Sequence, residues 1–411
     1  MDSFSNLQNR GFVKQSSNEG VLRDLLSKTP VVFYIGFDPT ADSLHVGSLV
    51  PIMAMANLQR DGHIPICVIG GATTLIGDPS GKTEMRRMMS VEEIDSNGQK
   101  ILSQLKRYLT LDLGKGIMVN NADWCVGLKY IDFLREIGRY FKVNEMIRAE
   151  SYRARLERQE GLSFIEFNYQ LLQAYDFLVL HDRHNCILQM GGDDQWGNII
   201  AGIGLVRQLR KKEVYAVTFP LLETAGGKKM GKTESGAIWL DAKRTTPFDF
   251  YQYWINTDDR DVIKFLKLFT FLSLEEIKEL ENLKGADLRK AKELLAFEAT
   301  KLAHGSEEAE AAVKASRSLF GSGTKTEDGI PSINLERTLL AREGVSVTEL
   351  FYLAGLASSK SAARRLVEQG GAYLNDQRVA SCEVTVTEAD VKGGVLLLRQ
   401  GKKNYCRVVL R

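Results

Sequence analysis

Tyr34-Ile-Gly-Phe-Asp-Pro-Thr-Ala-Asp-Ser-Leu-His-Val-Gly-Ser48 follows the apolar run Val31-Val32-Phe33 and leads into Leu49–Leu58. The segment reads as a buried strand, a turn holding Gly, Pro and Thr, and a helix with His45 and Gly47 in its first turn. Such a corner suits an anion, because a helix N-terminus offers unpaired N–H groups and partial positive charge. Gly47 lets a flat ring lie against bare backbone, and His45 and Ser48, three residues apart, share one helix face. An ordinary strand–helix corner would look the same in isolation. Residues 1–30 read as a helical lead-in, and the next apolar run, Ile64–Ile69, ends at Gly70-Gly71. Strand, helix and strand in alternation predict a parallel sheet.

The loop Gly77-Asp-Pro-Ser-Gly-Lys-Thr83 is not a P-loop, since its glycines enclose three residues and a P-loop needs four. Asp78, Lys82 and Arg86 still mark a polar loop at the carboxyl end of a strand, where open α/β sheets bind ligands. A third strand is expected at Gly116–Asn120, followed by a helical stretch over 127–159 whose many basic residues form a solvated face. Its apolar stripe Leu128, Ile131, Leu134 and Ile137 suits either a core or a subunit contact. The segment 163–180 is apolar almost all round, which predicts a buried helix, yet Tyr169, Gln173 and Asp176 fall at i, i+4 and i+7 on one face. A buried polar stripe must find partners, within the core or in a polar ligand; the rarity of unpaired buried Asp favours the ligand.

Strand Cys186–Met190 runs into Gly191-Gly-Asp-Asp-Gln-Trp-Gly-Asn198. Gly191 and Gly192 at the strand's end, with Asp193, Asp194 and Gln195 in the next helix's first turn, form a second ligand-type crossover, matched to ribose hydroxyls or an ammonium, or a plain N-cap. The following helix ends in Arg207, Arg210, Lys211 and Lys212, which complement the helix dipole or touch a phosphate backbone. After strand Val214–Phe219, the segment Gly226–Gly236 combines four glycines with Lys228, Lys229 and Lys232, a mobile positive loop suited to a triphosphate.

Charged residues at 26% and hydrophobic ones at 44% of 411 residues fit a soluble multidomain protein. A net charge of +2 argues for neither nucleic acid nor membrane, but it is unevenly spread. From Val345 onward ten Lys and Arg face six Asp and Glu, whereas 44 face 46 before it. Five scattered cysteines without C-x-x-C spacing predict reduced thiols in the cytoplasm. His181, His184 and Cys186 have no fourth ligand nearby, so no protein metal site is expected. No signal peptide and no transmembrane run is seen. Amphipathic helices follow Thr245, the Gly/Ser/Thr-rich Gly321–Thr326 reads as linker, and the last 67 residues read as a small α+β domain. The expected divisions are 1–225, 226–320, 321–344 and 345–411.

With those residues in view, the sequence resembles the bacterial-type tyrosyl-tRNA synthetases, a class I aminoacyl-tRNA synthetase family, along essentially its whole length. His45-Val-Gly-Ser48 is similar to the "HIGH" signature, Lys229-Met-Gly-Lys-Thr233 to "KMSKS", and the final domain to an S4-type RNA-binding module. The chain departs from these signatures at Ser48, where His is usual, and at Gly231 and Thr233, where Ser is usual. The resemblance implies an α/β fold: a Rossmann-like parallel-sheet catalytic domain, an α-helical tRNA-binding domain and a small α+β S4-like domain. It implies that Tyr34 and Asp176 read the phenol of L-tyrosine, that Tyr169, Gln173 and Asp78 hold its ammonium, and that Gln195 lies near its carboxylate. Asp38, Gly192 and Asp194 would hold the ammonium or the ATP ribose, with Gly47 and Ser48 at the ATP site. Thr40 and His45 would meet the γ-phosphate side, and Lys82, Arg86, Lys229, Lys232 and Thr233 the departing pyrophosphate. Arg207, Arg210, Lys211, Lys360, Arg364 and Arg365 would contact tRNA(Tyr). ATP is then a substrate accompanied by Mg2+, and the implied assembly is a cytoplasmic homodimer. A tryptophanyl-tRNA synthetase and a catalytically inactive, RNA-binding relative are the alternatives.

Overall fold

The computed structural model describes the chain except residues 1, 29, 81–87, 113, 158–160, 228–229, 234–235, 286, 321–331, 337–338, 341–343, 402–403 and 411. The side chains at 150, 151, 154, 232, 233, 319 and 320 also lie outside the description. Two compact units are present, Met1–Thr245 with Asp249–Ser306, and Thr246–Phe248 with Glu307–Arg411.

The first unit opens with α1 (Ser3–Arg10), the short strand β1 (Gln15–Ser16) and α2 (Glu19–Lys28). Strand β2 (Val32–Phe37) then leads through the Asp38–Ser48 turn to α3 (Leu49–Arg60), β3 (Ile64–Ile69), α4 (Thr73–Ile76), α5 (Val91–Leu105) and β4 (Ile117–Asn120). Four short helices follow: α6 (Ala122–Cys125), α7 (Tyr130–Glu136), α8 (Val143–Met146) and α9 (Glu150–Glu157). The long α10 (Phe164–His184) starts at a Ser163/Glu166 capping box and stops at Asn185, whose left-handed backbone (φ 52°) terminates the helix. β5 (Leu188–Gly192), α11 (Trp196–Arg210), β6 (Tyr215–Phe219) and the hairpin β7 (Lys232–Thr233) and β8 (Gly236–Ala237) come next. Helices α12 (Pro247–Ile255), α13 (Val262–Phe269), α14 (Leu274–Leu280) and α15 (Leu288–His304) follow.

The sheet order is β1-β6-β5-β2-β3-β4, with β2 to β6 all parallel and β1 an antiparallel edge. The apolar runs of β2 and β3 are buried because helices cover the sheet: Tyr34, Ile66 and Val68 pack against Ala174, Phe177 and Leu178 of α10 and Leu205 and Val206 of α11. The chain winds outward from β2 through β3 to β4, then returns to β2's other side with β5 and β6. That reversal puts a topological switch point between β2 and β5.

Two expectations are corrected. The stretch 127–159 is not one long helix: α7 gives way to a 3-10 turn at Gly138–Tyr140 and to extended backbone at Phe141. Its apolar residues accordingly do not form one stripe; Ile131 is 69% exposed and Ile137 buried. The apolar contacts are instead local, as where the ring of Phe133 meets that of Tyr175 on α10. Secondly, the helical segment expected over 226–320 is divided, with Asp249–Ser306 joining the sheet in one compact unit. The cause is polar and specific. Arg10, buried at the end of α1, donates to the carbonyls of Lys267 (3.1 Å), Thr270 (3.3 Å) and Leu272 (2.7 Å), where α13 ends, and Arg107 donates to the carbonyl of Ala303 on α15.

Beside that contact His304 is buried against Phe250, ring centroids 4.9 Å apart, and neither ring nitrogen has a hydrogen-bond partner among the described residues. Burial, with Arg107 adding to it and Asp241 opposing, lowers its pKa from 6.5 to about 4. The unfolded chain therefore takes up this proton at a higher pH than the native one. Its contribution to stability is complete above pH 6.5 and lost as pH falls toward 4, by up to about 3 kcal/mol. In His304→Phe the difference in unfolding free energy between pH 7 and pH 4 should shrink by about that amount, measured by urea melts.

The second unit contains α16 (Ser306–Phe320), β9 (Ser332–Leu335), β10 (Val345–Ser346), α17 (Val347–Leu353) and α18 (Lys360–Glu368). Its remaining strands are β11 (Ala372–Leu374), β12 (Gln377–Arg378), β13 (Thr385–Val386), β14 (Val395–Gln400) and β15 (Asn404–Leu410). A five-stranded sheet of order β12-β11-β14-β15-β9 packs Leu396, Leu398 and Val408 against Phe351, Ala363 and Val367 of the two helices. Ser332–Leu335, expected within a linker, is thus an edge strand of this sheet, parallel to β15. Its alternation explains the placement: Ile333 and Leu335 face the core and Ser332 and Asn334 face outward.

Candidate active site

At the carboxyl ends of β2 and β5, the switch point opens into a cleft of about 380 Å3. Tyr34 from β2 and Asp176 from α10 lie among its lining residues, 2% and 4% exposed. The Asp176 carboxylate is gripped from the β4–α6 corner. Oδ1 accepts from Trp124 Nε1 at 2.7 Å and from the Cys125 thiol at 3.8 Å, and Oδ2 accepts from Asn121 Nδ2 at 3.0 Å. Burial pushes its pKa up to about 7 against those donors, with the charge of Asp38 adding to the rise. The Tyr34 hydroxyl is buried without a hydrogen-bond partner among the described residues, and burial together with Asp176 holds the phenol neutral. An acceptor and an unpartnered hydroxyl therefore lie buried in one cleft.

Tyr169 and Gln173 complete the helical stripe, and all three of its members line the cleft. Tyr169 donates to Asp38 Oδ2 at 2.9 Å, while Thr73 donates to Asp38 Oδ1 at 2.8 Å. Asp78 accepts from Gln195 Nε2 at 2.6 Å and from the Ser80 backbone at 2.9 Å. Asn198 donates to the side-chain oxygens of both Gln173 (3.1 Å) and Gln195 (3.2 Å). Gly192, Asp194 and Ser48 also line the cleft. Asp193, in the same crossover, is a structural tie, accepting from Gln15 and Thr218.

Thr40, His45 and Gly47 are not among the lining residues. Thr40 is exposed on the Asp38 turn. The ring that lies over Gly47 is that of His45 itself: a Cβ at Gly47 would stand 2.7 Å from it, and Gly47 N donates to His45 Nδ1 at 3.0 Å. Accepting there puts the proton of a neutral imidazole on Nε2, as a donor. The turn is tied to the chain beyond β8, where Val46 N donates to Ile238 O (2.9 Å) and Leu240 N to Leu44 O (2.8 Å). Lys82, Arg86 and Lys229 lie outside the described residues; of Lys232 and Thr233 only the backbone is described, paired with Ala237 and Gly236.

The family model described as class I tRNA synthetases (W and Y) matches residues 26–321, and that of the tyrosine–tRNA ligase SYY-like C-terminal domain matches 324–408. Relatives described as tyrosine–tRNA ligases include one from Desulfosudis oleivorans, 53% identical, and one from Caldanaerobacter subterraneus subsp. tengcongensis, 50% identical, each with 98% of both chains covered. The chain belongs to the tyrosyl-tRNA synthetase family. Among solved structures, a C-terminally truncated mitochondrial tyrosyl-tRNA synthetase of Aspergillus nidulans matches with a TM-score of 0.70 and 31% identity, over 78% of this chain and 94% of that one. A tryptophanyl-tRNA synthetase from Encephalitozoon cuniculi shares the fold (TM-score 0.57, 14% identity, 75% and 87% covered).

The synthetase cleft also uses residues that sequence reasoning missed. Asn121, Trp124 and Cys125 serve Asp176, Thr73 serves Asp38, and Asn198 bridges two glutamines. One signal was available for the first group: Asn120-Asn121 ends a predicted strand, where ligand-binding groups of α/β sheets collect. None of the expected tRNA-binding residues is among those lining the cleft. Arg207 borders a separate groove beside α11, Arg210 is held in a bidentate pair by Asp182 (2.7 and 2.6 Å), and Lys211 has the left-handed backbone that ends α11. In the second unit, Lys360 pairs with Glu349 at 2.8 Å and Arg364 and Arg365 are exposed on α18.

Proposed function

We propose that the cleft activates L-tyrosine with ATP and passes the tyrosyl group to tRNA(Tyr). The observation that carries the reading is the buried Asp176 carboxylate beside the unpartnered Tyr34 hydroxyl, a pair that a phenol would satisfy as donor and acceptor at once. Tyr169, Gln173 and Asp78 would hold the ammonium and Gln195 would lie near the carboxylate, with Asp38, Gly192 and Asp194 toward the ammonium or the ribose. A tyrosine carboxylate is ionised at neutral pH, so its oxygen bonds to the α-phosphorus without a general base. The bond from that phosphorus to the bridging oxygen breaks, and pyrophosphate leaves with the electron pair. What remains to be supplied is alignment and stabilisation of charge. His45, Thr40, Gly47, Ser48 and the lysines and threonine at 82, 229, 232 and 233, with Arg86, suit that task. In the second step a ribose hydroxyl of the tRNA terminus attacks the activated carbonyl and AMP departs.

Mg2+ would arrive with the ATP phosphates; among the described residues no group of three or more His, Cys, Asp or Glu could hold a metal. Arg207, Arg210, Lys211, Lys360, Arg364 and Arg365 are proposed to contact tRNA, with 345–411 acting as an S4-like module. The exposed apolar residues Val126, Tyr130, Ile131, Val143 and Phe164 are proposed to be covered by a second copy; a sedimentation mass of one chain would remove that proposal. Five unbridged cysteines support a cytoplasmic location, and among the described residues no helix is long and apolar enough to cross a membrane.

The test is ATP–pyrophosphate exchange. Exchange should depend on tyrosine, with phenylalanine and tryptophan reduced by about 10⁴ or more, since either leaves buried polar groups unpaired. Tyrosyl-tRNA synthetase is itself the standard example of this rule, rejecting phenylalanine by about 10⁵. Equal exchange with tryptophan would overturn the assignment.

A further inference from the structure

We propose that Tyr253 and Asp261 are positioning residues that hold the chain before Lys232 against the His45 turn. The inference rests on the reading of Lys232 as a pyrophosphate-binding lysine.

Lys232 follows Gly231, whose backbone lies directly on the turn. With φ at +78°, Gly231 takes a left-handed conformation that serine adopts only under strain. A Cβ there would stand 3.1 Å from Gly47 N and 3.5 Å from Val46 Cβ. The Gly231 carbonyl accepts from Ile238 N at 2.9 Å, and Ile238 in turn accepts from Val46 N at 2.9 Å. Two backbone hydrogen bonds thus link the residue before Lys232 to the residue after His45. Met230 is buried, and its N–H donates to Leu222 O at 3.0 Å.

Two side chains from the helical segment fasten this arrangement. The Gly231 N–H faces the phenol oxygen of Tyr253 on α12 and opposes the burial that raises the phenol's pKa. At the start of the segment Asp261, 5% exposed, accepts from Ala225 N at 2.6 Å. Lys264 donates to the carbonyl of Glu223 at 3.2 Å and lies 3.9 Å from Asp261. A buried carboxylate and a half-buried phenol are thus spent on loop amides rather than on the helical core. Burial pushes the Tyr253 phenol up to about 12 despite the Gly231 N–H, so it is neutral and able to accept. A lysine acts on a leaving phosphate only when its backbone is already in place, and these anchors fix the neighbouring backbone on both sides of residues 226–230.

Tyr253→Phe keeps the ring and removes the acceptor. Active-site titration should count as many competent sites as in the wild type, with adenylate formation per site about tenfold slower, the worth of one such hydrogen bond, and tyrosine affinity unchanged. Asp261→Ala should slow the same step with the same split. In a Lys232→Ala background Tyr253→Phe should cost little more, because the anchor acts through that lysine. A wild-type rate per site in Tyr253→Phe and Asp261→Ala, or a full additional tenfold loss on top of Lys232→Ala, overturns the inference. A wild-type rate in Lys232→Ala alone overturns instead the reading on which it rests.

Discussion

Asp176→Asn should lower kcat/KM for tyrosine in ATP–pyrophosphate exchange by about 10³. The carboxylate receives donors on both oxygens, Trp124 and Cys125 on Oδ1 and Asn121 on Oδ2. An amide can satisfy only one side. Whichever way it turns, its NH2 faces a buried N–H or S–H, and the charged acceptor for the substrate phenol is gone. A hydrogen bond to a charged group is worth roughly 1.5–3 kcal/mol and a stranded buried donor costs about 1–3 kcal/mol. Together these reach about 4 kcal/mol, or three decades. The same carboxylate predicts a pH dependence. Its pKa of about 7 in the free protein means that acid protonates it, so KM for tyrosine should rise as pH falls below 7 and level off above it. A variant within tenfold of wild type, or a KM independent of pH between 6 and 8, would contradict the assignment of Asp176 as the phenol acceptor.

Ending the chain after Gly321 should separate the two steps of the reaction. Tyrosine-dependent exchange should survive within about tenfold, whereas charging of tRNA should fall by about 10³ or more, because loss of several phosphate contacts is worth decades in affinity. The cut follows the end of the catalytic family match and spares α16, which belongs to the same compact unit as Thr246–Phe248. A cut after Ser332 would instead leave the first residue of β9, severed from its sheet. The Aspergillus nidulans relative is itself described as C-terminally truncated. Single-turnover charging and exchange on the same preparation measure both effects, and undiminished charging would show the module to be dispensable.

Much of the site is local in sequence and was legible there. Strand Ile64–Ile69 appears with the predicted bounds, the Tyr169/Gln173/Asp176 stripe faces the cleft, and glycines end strands where ligands collect. What stayed hidden depends on pairing across distance. Trp124 and Cys125 reach Asp176 over some fifty positions, and neither has a periodicity that marks it. The stripe finds partners within the core and also borders the cleft, because one carboxylate meets Trp124 on the inside and lines the cleft. The short helices of 130–157 eluded sequence analysis because α7 passes into a 3-10 turn and the extended backbone falls at Phe141, an apolar residue that carries no breaker signal. β9 was missed because four residues alternating in burial resemble a linker until β15 lies beside them.

That last strand sets the timing of manufacture. β15 is hydrogen-bonded to both β14 and β9, so the five-stranded sheet joins residues 332–335 to the final seven described residues of the chain. A ribosome delivering about 5–20 residues each second releases β15 after the other strands of this sheet. Until then β9 has no partner and β14 presents an open edge of the kind that invites pairing with other chains. The five-stranded sheet is therefore completed only once β15 has emerged, after the segments that line the cleft. A polypeptide broken off before β15 carries the residues of the cleft and a permanently exposed sheet edge.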